Sequence, residues 1–375
     1  MVSTVDVAIV GAGIVGACTA HFLERLDPAL SVLLIERDRS FARASSALSA
    51  SSIRQQFSVS LNIRLSRFGL SFLREMGIAL HEGGYLYLGA RDTLAPLHRL
   101  QREQGADVAL LGAGELKARF PWLNVADLEA GSLGLSGEGW FDGPALHAAL
   151  LRRLRAPVVQ AEAAGFDLVD GAVRAVRLRD GSRIACAHAV NAAGPWARAL
   201  AAAAGIDLPV HARRRTVFVL SCPTALPRCP LVVDPSGFWF RPEGRYFLAG
   251  AAPAPADDAD DLPLEPNYAE FDEALWGRLA HRVPAFEALR VERAWAGYYD
   301  MNVFDHNAIV GAHPALPNLW FAAGFSGHGL QQAPAAGRAL AELIVHGAFR
   351  SLDLAPLGFE RLIRAQPLRE ANVIG

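Results

Sequence analysis

Apolar residues at the start of the chain are grouped in a pattern that predicts a strand, a turn, a helix and a second strand. Residues 5–10 are apolar and largely β-branched, with only Asp6 as an interruption, which is typical of a buried parallel strand. Residues 14–26 follow as a helix, and a second apolar run at 31–35 ends at Glu36. The order strand, helix, strand indicates the first unit of a parallel sheet.

The rest of the chain changes its periodicity twice, from helical stripes to strand-like alternation and back. Helices are predicted at 60–76, 93–104, 144–155, 197–204 and 269–281, and from the Gly-rich turn after Ala323 to about His346. Strands are predicted at 84–89, 157–159, 187–192, 216–221, 237–241, 245–249 and 319–323. The last two strands before residue 250 form a hairpin, and an acidic, Pro-rich loop at 253–266 is expected to be solvated.

These patterns predict an α/β fold (α+β overall) with two domains, because a chain of 375 residues is too long for one ordinary core. The predicted nucleotide-binding domain consists of residues 1–77, 144–210 and 305–375. Residues 78–143 and 211–304 read as a second domain, a mainly antiparallel sheet that covers the ligand as a substrate-binding lid.

The turn after the first strand carries Gly11, Gly13 and Gly16 in the spacing G-x-G-x-x-G. The first glycine permits a tight turn, the second lets a pyrophosphate approach the backbone, and the third lets the helix pack against the strand. The free N–H groups and positive dipole end of that helix favour a phosphate. Glu36 lies 20 residues beyond Gly16, where a carboxylate can bind ribose hydroxyls. The predicted ligand is an adenine dinucleotide.

Composition and charge narrow the class of protein. The net charge is −2, so the chain has no electrostatic footprint for nucleic acid. The four cysteines are too scattered for a metal box or a disulfide framework, so we expect no metal site and a reducing compartment. No stretch reaches the apolar length of a membrane span, and the N-terminus has no basic n-region. We expect a cytoplasmic protein without an integral membrane segment, with a membrane-peripheral position as the alternative.

Two later segments carry candidate chemistry. Residues 45–57 offer hydroxyl and backbone N–H groups, and Ile53 and Phe57 bracket residues 54–56 in a way that predicts burial of that part. Residues 324–329 form a Gly-rich turn between a strand and a helix. A helix dipole directed from there at a flavin ring would stabilise the anionic reduced form.

Together these segments resemble the glycine/D-amino-acid oxidase (DAO) superfamily of FAD enzymes, which includes sarcosine oxidases, dimethylglycine dehydrogenases and glycine oxidases. The resemblance covers essentially the whole chain, and 298–340 is most similar to the family called FAD-dependent oxidoreductase domain-containing protein 1. It implies FAD rather than NAD. It also implies a flavoprotein of the glutathione-reductase-2 type, with a Rossmann-like FAD-binding domain and a second, mainly antiparallel β-sheet substrate domain.

The resemblance implies a set of cofactor-binding residues. Those expected at the ADP half are Gly11, Gly13, Ile14, Val15, Gly16, Glu36 and Arg37. Those expected along the pyrophosphate, ribityl chain and ring are Ser45, Ser46, Ser49 and Arg54. Those expected near the adenine and the rest of the dinucleotide are Ala164, Ala193, Gly194 and Trp196. Those expected around the isoalloxazine are Gly324, Gly327, His328, Gly329, Leu330 and Gln331.

Three positions depart from the sarcosine oxidase pattern. The second arginine that holds the substrate carboxylate falls near Phe57, the lysine after the Gly-rich turn is Gln331, and the cysteine that links the flavin covalently falls near Gly297. The resemblance therefore implies non-covalent FAD and a substrate that need not be sarcosine. The candidate catalytic and substrate-contacting residues are Arg54, Arg241, Tyr299, His328 and Gln331.

Some of these residues have two interpretations. His328 either assists a proton transfer or, as we favour, hydrogen-bonds within its turn or to FAD. Arg241 either binds a substrate carboxylate or forms an internal salt bridge. Alternation along a strand is expected to direct only one of Tyr298 and Tyr299 towards the cofactor.

Three functions follow from the resemblance. The leading one is FAD-dependent oxidation of the C–N bond of a small amino acid or N-methyl amine, like sarcosine or dimethylglycine, by hydride transfer to flavin N5. The electron acceptor is then oxygen, a quinone or an electron-transfer flavoprotein. An alternative is a 2-hydroxy-acid dehydrogenase, in which His328 is the best candidate base. A third is a flavoprotein that acts mainly in the assembly of a respiratory complex.

Overall fold

The computed structural model describes residues 4–374; residues 1–3 and Gly375, which the predicted nucleotide domain includes, lie outside the described residues. The strands are β1 (Thr4–Val10), β2 (Val32–Glu36), β3 (Ser52–Ile53), β4 (Leu80–His81), β5 (Tyr85–Gly89), β6 (Val108–Gly112), β7 (Ala130–Gly134), β8 (Gly139–Phe141), β9 (Val158–Gln160), β10 (Ala163–Val169), β11 (Ala172–Leu178), β12 (Arg183–Asn191), β13 (Val210–Ser221), β14 (Leu231–Val233), β15 (Phe238–Glu243), β16 (Tyr246–Ala251), β17 (Arg290–Asn302), β18 (Ile309–His313) and β19 (Leu316–Ala323). The helices are α1 (Ile14–Leu26), α2 (Ser60–Glu75), α3 (Arg91–Glu103), α4 (Ala113–Arg119), α5 (Gly143–Arg153), α6 (Ala197–Ala202), α7 (Trp276–Arg282), α8 (Gly329–His346) and α9 (Glu360–Ile363).

The first sheet is built on five parallel strands in the order β9-β2-β1-β12-β19. Strand β18 adds an antiparallel edge beside β19, and the β10–β11 hairpin joins the first half of β12. The central strand β1 is buried on both faces, as its apolar run predicts, because helices α1 and α8 cover one side and α6 packs on the other. Gly337 of α8 is close to the Cys18 backbone of α1, where a Cβ atom would not fit.

The second sheet has eight strands in the order β17-β13-β16-β15-β14-β5-β7-β6. Every neighbouring pair is antiparallel except β14 and β5. Alternate aromatic residues of β15, such as Phe238 and Phe240, are directed into a core that also contains Phe286. Helix α7 covers this core. The segment predicted as a helix from residue 269 is helical, and it contains a π-helical turn at Phe271–Leu275 directly before α7.

A third, three-stranded sheet in the order β3-β8-β4 joins these parts and was not predicted from the sequence. The predicted mixed α/β class with a second, mainly antiparallel sheet is confirmed. The division of the chain into two domains at the stated boundaries stays a prediction. None of the helices described between Thr4 and Ile374 combines the length and the apolar character needed to cross a bilayer.

Candidate functional site

A cavity of about 920 Å³ runs from the Gly-rich turn after β1 to the second sheet. Most of the predicted site residues line it. They are Gly11, Gly13, Ile14, Val15, Glu36, Arg37, Ser45, Ser46, Ser49, Arg54, Ala164, Ala193, Gly194, Trp196, Tyr299, Gly327, His328, Gly329, Leu330 and Gln331. Gly16, Gly324 and Arg241 are not among the lining residues. The fold therefore brings residues from seven separate segments of the chain to one cavity.

The turn between β1 and α1 presents open backbone N–H groups to this cavity. Gly11 has φ +98°, and a Cβ atom there would overlap the Ala192 carbonyl oxygen, so only glycine fits. Gly13 caps α1 without a side-chain hydrogen bond. The first helical hydrogen bond joins the Ala17 N–H to the Gly13 carbonyl at 2.9 Å, so the N–H groups of residues 14–16 have no acceptor within the helix. Such a helix start fits a phosphate group.

Gly16 lies behind the turn rather than in the cavity. A Cβ atom at this position would overlap the Gly11 carbonyl oxygen, so Gly16 allows α1 to pack closely against the turn, as its place in the spacing predicts. Glu36, at the end of β2, accepts hydrogen bonds from the N–H groups of Ala12 at 2.9 Å and Asp38 at 3.0 Å. Its carboxylate is thereby fixed beside the turn, at the place where the ribose is expected.

Arg37 and Trp196 form a stacked pair at the same end of the cavity. The guanidinium carbon of Arg37 lies 3.5 Å from the centre of the Trp196 ring. Its Nη2 atom is buried without a hydrogen-bond partner, and so is the Ser45 hydroxyl. Burial and the nearby Arg43 lower the pKa of Arg37. Because buried polar atoms are normally paired, these two donors fit a ligand rich in acceptor oxygens, such as the ADP half of FAD.

The second Gly-rich turn, between β19 and α8, borders the opposite end of the cavity. Gly327 has φ +89° and lies against the Tyr299 ring so closely that a Cβ atom would overlap it. Asp300 fixes the turn by accepting hydrogen bonds from the N–H groups of Gly324 at 2.8 Å and Phe325 at 3.0 Å. Burial raises the pKa of Asp300 to about 6. Gly324 thus shapes the turn from outside the cavity.

Arg54 is a charged side chain buried at the site, with only 1% of it exposed. Its Nη1 donates to the Gln56 carbonyl and its Nη2 to the Asn372 carbonyl, and the guanidinium carbon lies 3.8 Å from the centre of the Phe57 ring. Among residues 4–374 it has no carboxylate within ion-pair distance. The predicted burial of residues 54–56 is confirmed. Because charged side chains are seldom buried without a counter-charge, Arg54 is a candidate for binding an anion.

The side chains of His328 and Gln331 are both hydrogen-bonded to Arg54. Nε2 of His328 is 2.9 Å from Nη2 of Arg54, and because a guanidinium only donates, we assign this nitrogen as the acceptor of a neutral imidazole. Burial and the charge of Arg54 lower the pKa of His328 well below its usual value. Gln331 Oε1 accepts hydrogen bonds from the Arg54 N–H and from the Ser66 hydroxyl, both at 3.0 Å.

Arg241 requires a correction. Its guanidinium forms an ion pair with Glu243 and donates to the Ala50 carbonyl at 2.9 Å, and it lies 5.0 Å from the centre of the Trp140 ring. The structure does not bring it to the cavity lining, because the hairpin places Glu243 beside it and the side chain is directed at the loop before β3. Of the two interpretations, the internal salt bridge is the one that the geometry supports.

Sequence reasoning missed several residues of the site. Arg215 on β13 lines the cavity. Tyr298 and Tyr299 both line it as well, so the expectation that only one of these tyrosines is directed towards the cofactor is wrong. Arg215 is paired with Asp258 of the acidic loop, at 2.7 Å. Glu138 is buried below the Arg54 segment and accepts from the Gln55 N–H at 2.6 Å. The sequence does contain a pattern that could have pointed to Arg215, a run of three arginines at 213–215 together with a later acidic loop. No sequence pattern singles out Glu138.

The segment 370–374 was also missed, because the sequence gives it no motif. Ile374 lines the cavity, and the Tyr299 hydroxyl donates to its carbonyl at 3.0 Å. None of the four cysteines lines the cavity, and Gly297 stands at the position where a covalently linked family member has one. This agrees with the expected non-covalent FAD, which stays a prediction.

Comparison with known proteins agrees with this geometry. The family model for FAD dependent oxidoreductases (DAO) matches residues 6–343. The chain is 40% identical to the FAD-dependent oxidoreductase domain-containing protein 1 of Bos taurus, over 98% of this chain and 87% of that protein. It is 26% identical to the peroxisomal sarcosine oxidase of Mus musculus, over 98% of each. The crystal structure of L-proline dehydrogenase from P. horikoshii superposes with a TM-score of 0.86 at 25% identity, over 98% of this chain and 100% of that one.

Proposed function

The chain belongs to the DAO family of FAD-dependent oxidoreductases, and from that premise we propose that it oxidises the C–N bond of a small amino acid whose amine is secondary or tertiary. FAD supplies the two-electron acceptor for this reaction. The residues of this chain have to bind the substrate, orient its carbon–hydrogen bond and exclude water.

The observation that carries the proposal is the uncompensated charge of Arg54. A substrate carboxylate would give this buried guanidinium the counter-charge that residues 4–374 do not supply within ion-pair distance. The Tyr299 hydroxyl is a second donor on the same side of the cavity. Two fixed donors that hold one carboxylate would orient the α-carbon of an amino acid.

Two relatives support the secondary amine. Sarcosine and L-proline, after which the oxidase and the dehydrogenase reported above are named, both join a carboxylate to a secondary amine. The departures at Phe57, Gln331 and Gly297 support a substrate different from sarcosine itself. The electron acceptor in this proposal is oxygen, a quinone or an electron-transfer flavoprotein, and the proposed location is cytoplasmic or membrane-peripheral.

The position of His328 favours an amine over a 2-hydroxy acid. Oxidation of a hydroxy acid needs a base for the hydroxyl proton, whereas a neutral amine needs none. The Nε2 lone pair of His328 already accepts from Arg54, and a proton added there would stand beside the guanidinium. His328 is therefore a positioning residue for Arg54 in our proposal, and the 2-hydroxy-acid alternative loses its best candidate base.

The test is the visible spectrum of the purified flavoprotein before and after anaerobic addition of N-methyl amino acids, proline and their 2-hydroxy-acid analogues. We expect bleaching by at least one amino acid and not by its hydroxy analogue. Arg54→Gln should retain the flavin spectrum but reduce the bleaching rate at low substrate roughly 10- to 100-fold, because a charged hydrogen bond is lost. Arg64→Gln, an exposed arginine of α2, is the matched control.

Other outcomes separate the alternatives. Bleaching by a hydroxy acid alone would overturn the proposed reaction. A flavin that no compound bleaches would favour the role in assembly of a respiratory complex, and recovery of a multiprotein complex with the wild-type chain from native membranes would then test that role. Equal bleaching rates for Arg54→Gln and the wild type would refute the carboxylate site.

A further inference from the structure

The segment 370–374 crosses the substrate side of the cavity from one firm anchor. The Glu370 carboxylate is fully buried and accepts hydrogen bonds from the N–H groups of Ser58 at 2.8 Å and Val59 at 3.1 Å and from the Asn62 amide at 2.9 Å. The Glu370 N–H donates to the Asp305 carbonyl at 3.0 Å. The carboxylate also accepts from the Ser58 hydroxyl at 2.7 Å and from the Asn372 N–H at 2.9 Å, so six hydrogen bonds at one residue fix the chain there.

Beyond the anchor, the segment contacts the site through carbonyl groups. The Asn372 carbonyl accepts from Nη2 of Arg54, and the Ile374 carbonyl accepts from the Tyr299 hydroxyl at 3.0 Å. The Asn372 side chain donates to the Gln56 carbonyl at 3.1 Å. The two carbonyl groups belong to residues two positions apart in the chain, so both donors face the same short segment.

These two donors are the ones that the proposed function assigns to the substrate carboxylate. The segment therefore occupies the carboxylate position with neutral carbonyl oxygens. A carboxylate supplies the counter-charge that a neutral carbonyl oxygen lacks, so a substrate can compete for Arg54. Residues 372–374 are half-buried and Ala371 is exposed, and none of the four belongs to a strand or a helix. Their displacement disturbs no sheet and no core cluster other than the Ile374 contact.

We propose that residues 371–374 form a gate that the substrate carboxylate displaces, hinged at Glu370. The proposal rests on the proposed function, because it takes Arg54 and Tyr299 as the carboxylate site. With the gate in place both donors have acceptors within the protein, and Ile374 lines the cavity at this side. A substrate without a carboxylate cannot compete for Arg54, so the gate selects for carboxylates as well as restricting entry.

The test uses the FAD-loaded protein and benzoate, a carboxylate without an amine, titrated while the flavin absorbance is followed. Deletion of residues 371–375 is expected to tighten benzoate binding about 10-fold or more, since two competing hydrogen bonds are removed. Asn372→Ala, which loses only the side-chain bond to Gln56, should tighten it about 3-fold. Val373→Ala is the matched control, because its side chain makes no hydrogen bond.

A second readout follows the gate directly. Hydrogen–deuterium exchange of the peptide that contains residues 371–374 should become faster when benzoate saturates the wild-type protein, while exchange around Glu370 stays slow. Equal benzoate affinity in the wild type, the deletion and Asn372→Ala, or unchanged exchange in the presence of bound benzoate, would overturn the gate and leave a fixed wall. Absence of benzoate binding in every protein would instead contradict the carboxylate site of the proposed function.

Discussion

The buried carboxyl group of Glu138, below the Arg54 segment, should make the free energy of unfolding depend on pH. Its carboxylate is 1% exposed and accepts from the Gln55 N–H at 2.6 Å and the Gln56 amide at 2.9 Å. Burial is the largest influence and raises the pKa of Glu138 to about 7 from 4.5. The folded protein therefore holds a proton that the unfolded chain releases at a lower pH.

The sign follows from linkage. Between the unfolded and the folded pKa the native state binds more protons, so the free energy of unfolding falls as the pH rises through this window. A shift from 4.5 to about 7 corresponds to about 3 kcal/mol when fully developed, because each pKa unit is worth about 1.4 kcal/mol. Roughly 2–3 kcal/mol of this loss falls between about pH 5 and about pH 8.

The perturbation is Glu138→Gln, which keeps the shape and removes the titration. The free energy of unfolding of the FAD-loaded protein is measured with urea at several pH values, and the difference between wild type and variant is plotted, because the other titrating groups cancel in it. The free energy of unfolding of the variant should rise relative to that of the wild type by roughly 2–3 kcal/mol between about pH 5 and about pH 8. Glu103→Gln, on an exposed helix face, should show a flat difference. A flat difference for Glu138→Gln as well would refute the reasoning.

Three further predictions concern FAD. Arg37→Ala should weaken FAD binding roughly 10- to 100-fold in equilibrium dialysis, since its buried donors and the Trp196 stack are lost, while the exposed Arg39→Ala should not; equal affinities would exclude Arg37 from the FAD site. Gly11→Ala should abolish FAD uptake because its Cβ meets the Ala192 carbonyl, whereas Gly181→Ala, with a similar φ but open space, should cost only about 1 kcal/mol in urea unfolding. Acid precipitation should release all the flavin into the supernatant, and yellow colour retained in the pellet would contradict non-covalent FAD.

The sequence alone determined the features that depend on local order. The strand, glycine turn and helix at the start are encoded within residues 5–26, because burial periodicity and glycine spacing act over one or two turns of chain. The same holds for the turn before α8, where Gly327 must have a positive φ. The periodicity along the chain predicted the fold class, and the first turn predicted an adenine dinucleotide. FAD was implied by the family resemblance that these segments carry.

Only the tertiary structure decided which side chains meet at the substrate side. Arg54 contacts His328 and Asn372, which are 274 and 318 positions away in the chain, and neither distance leaves a local trace. For Arg241 the sequence left two interpretations, a substrate carboxylate and an internal salt bridge, and the structure pairs it with Glu243, two residues away. The sequence shows which residues are charged. Which partner each charge contacts depends on packing between segments that are distant in the chain.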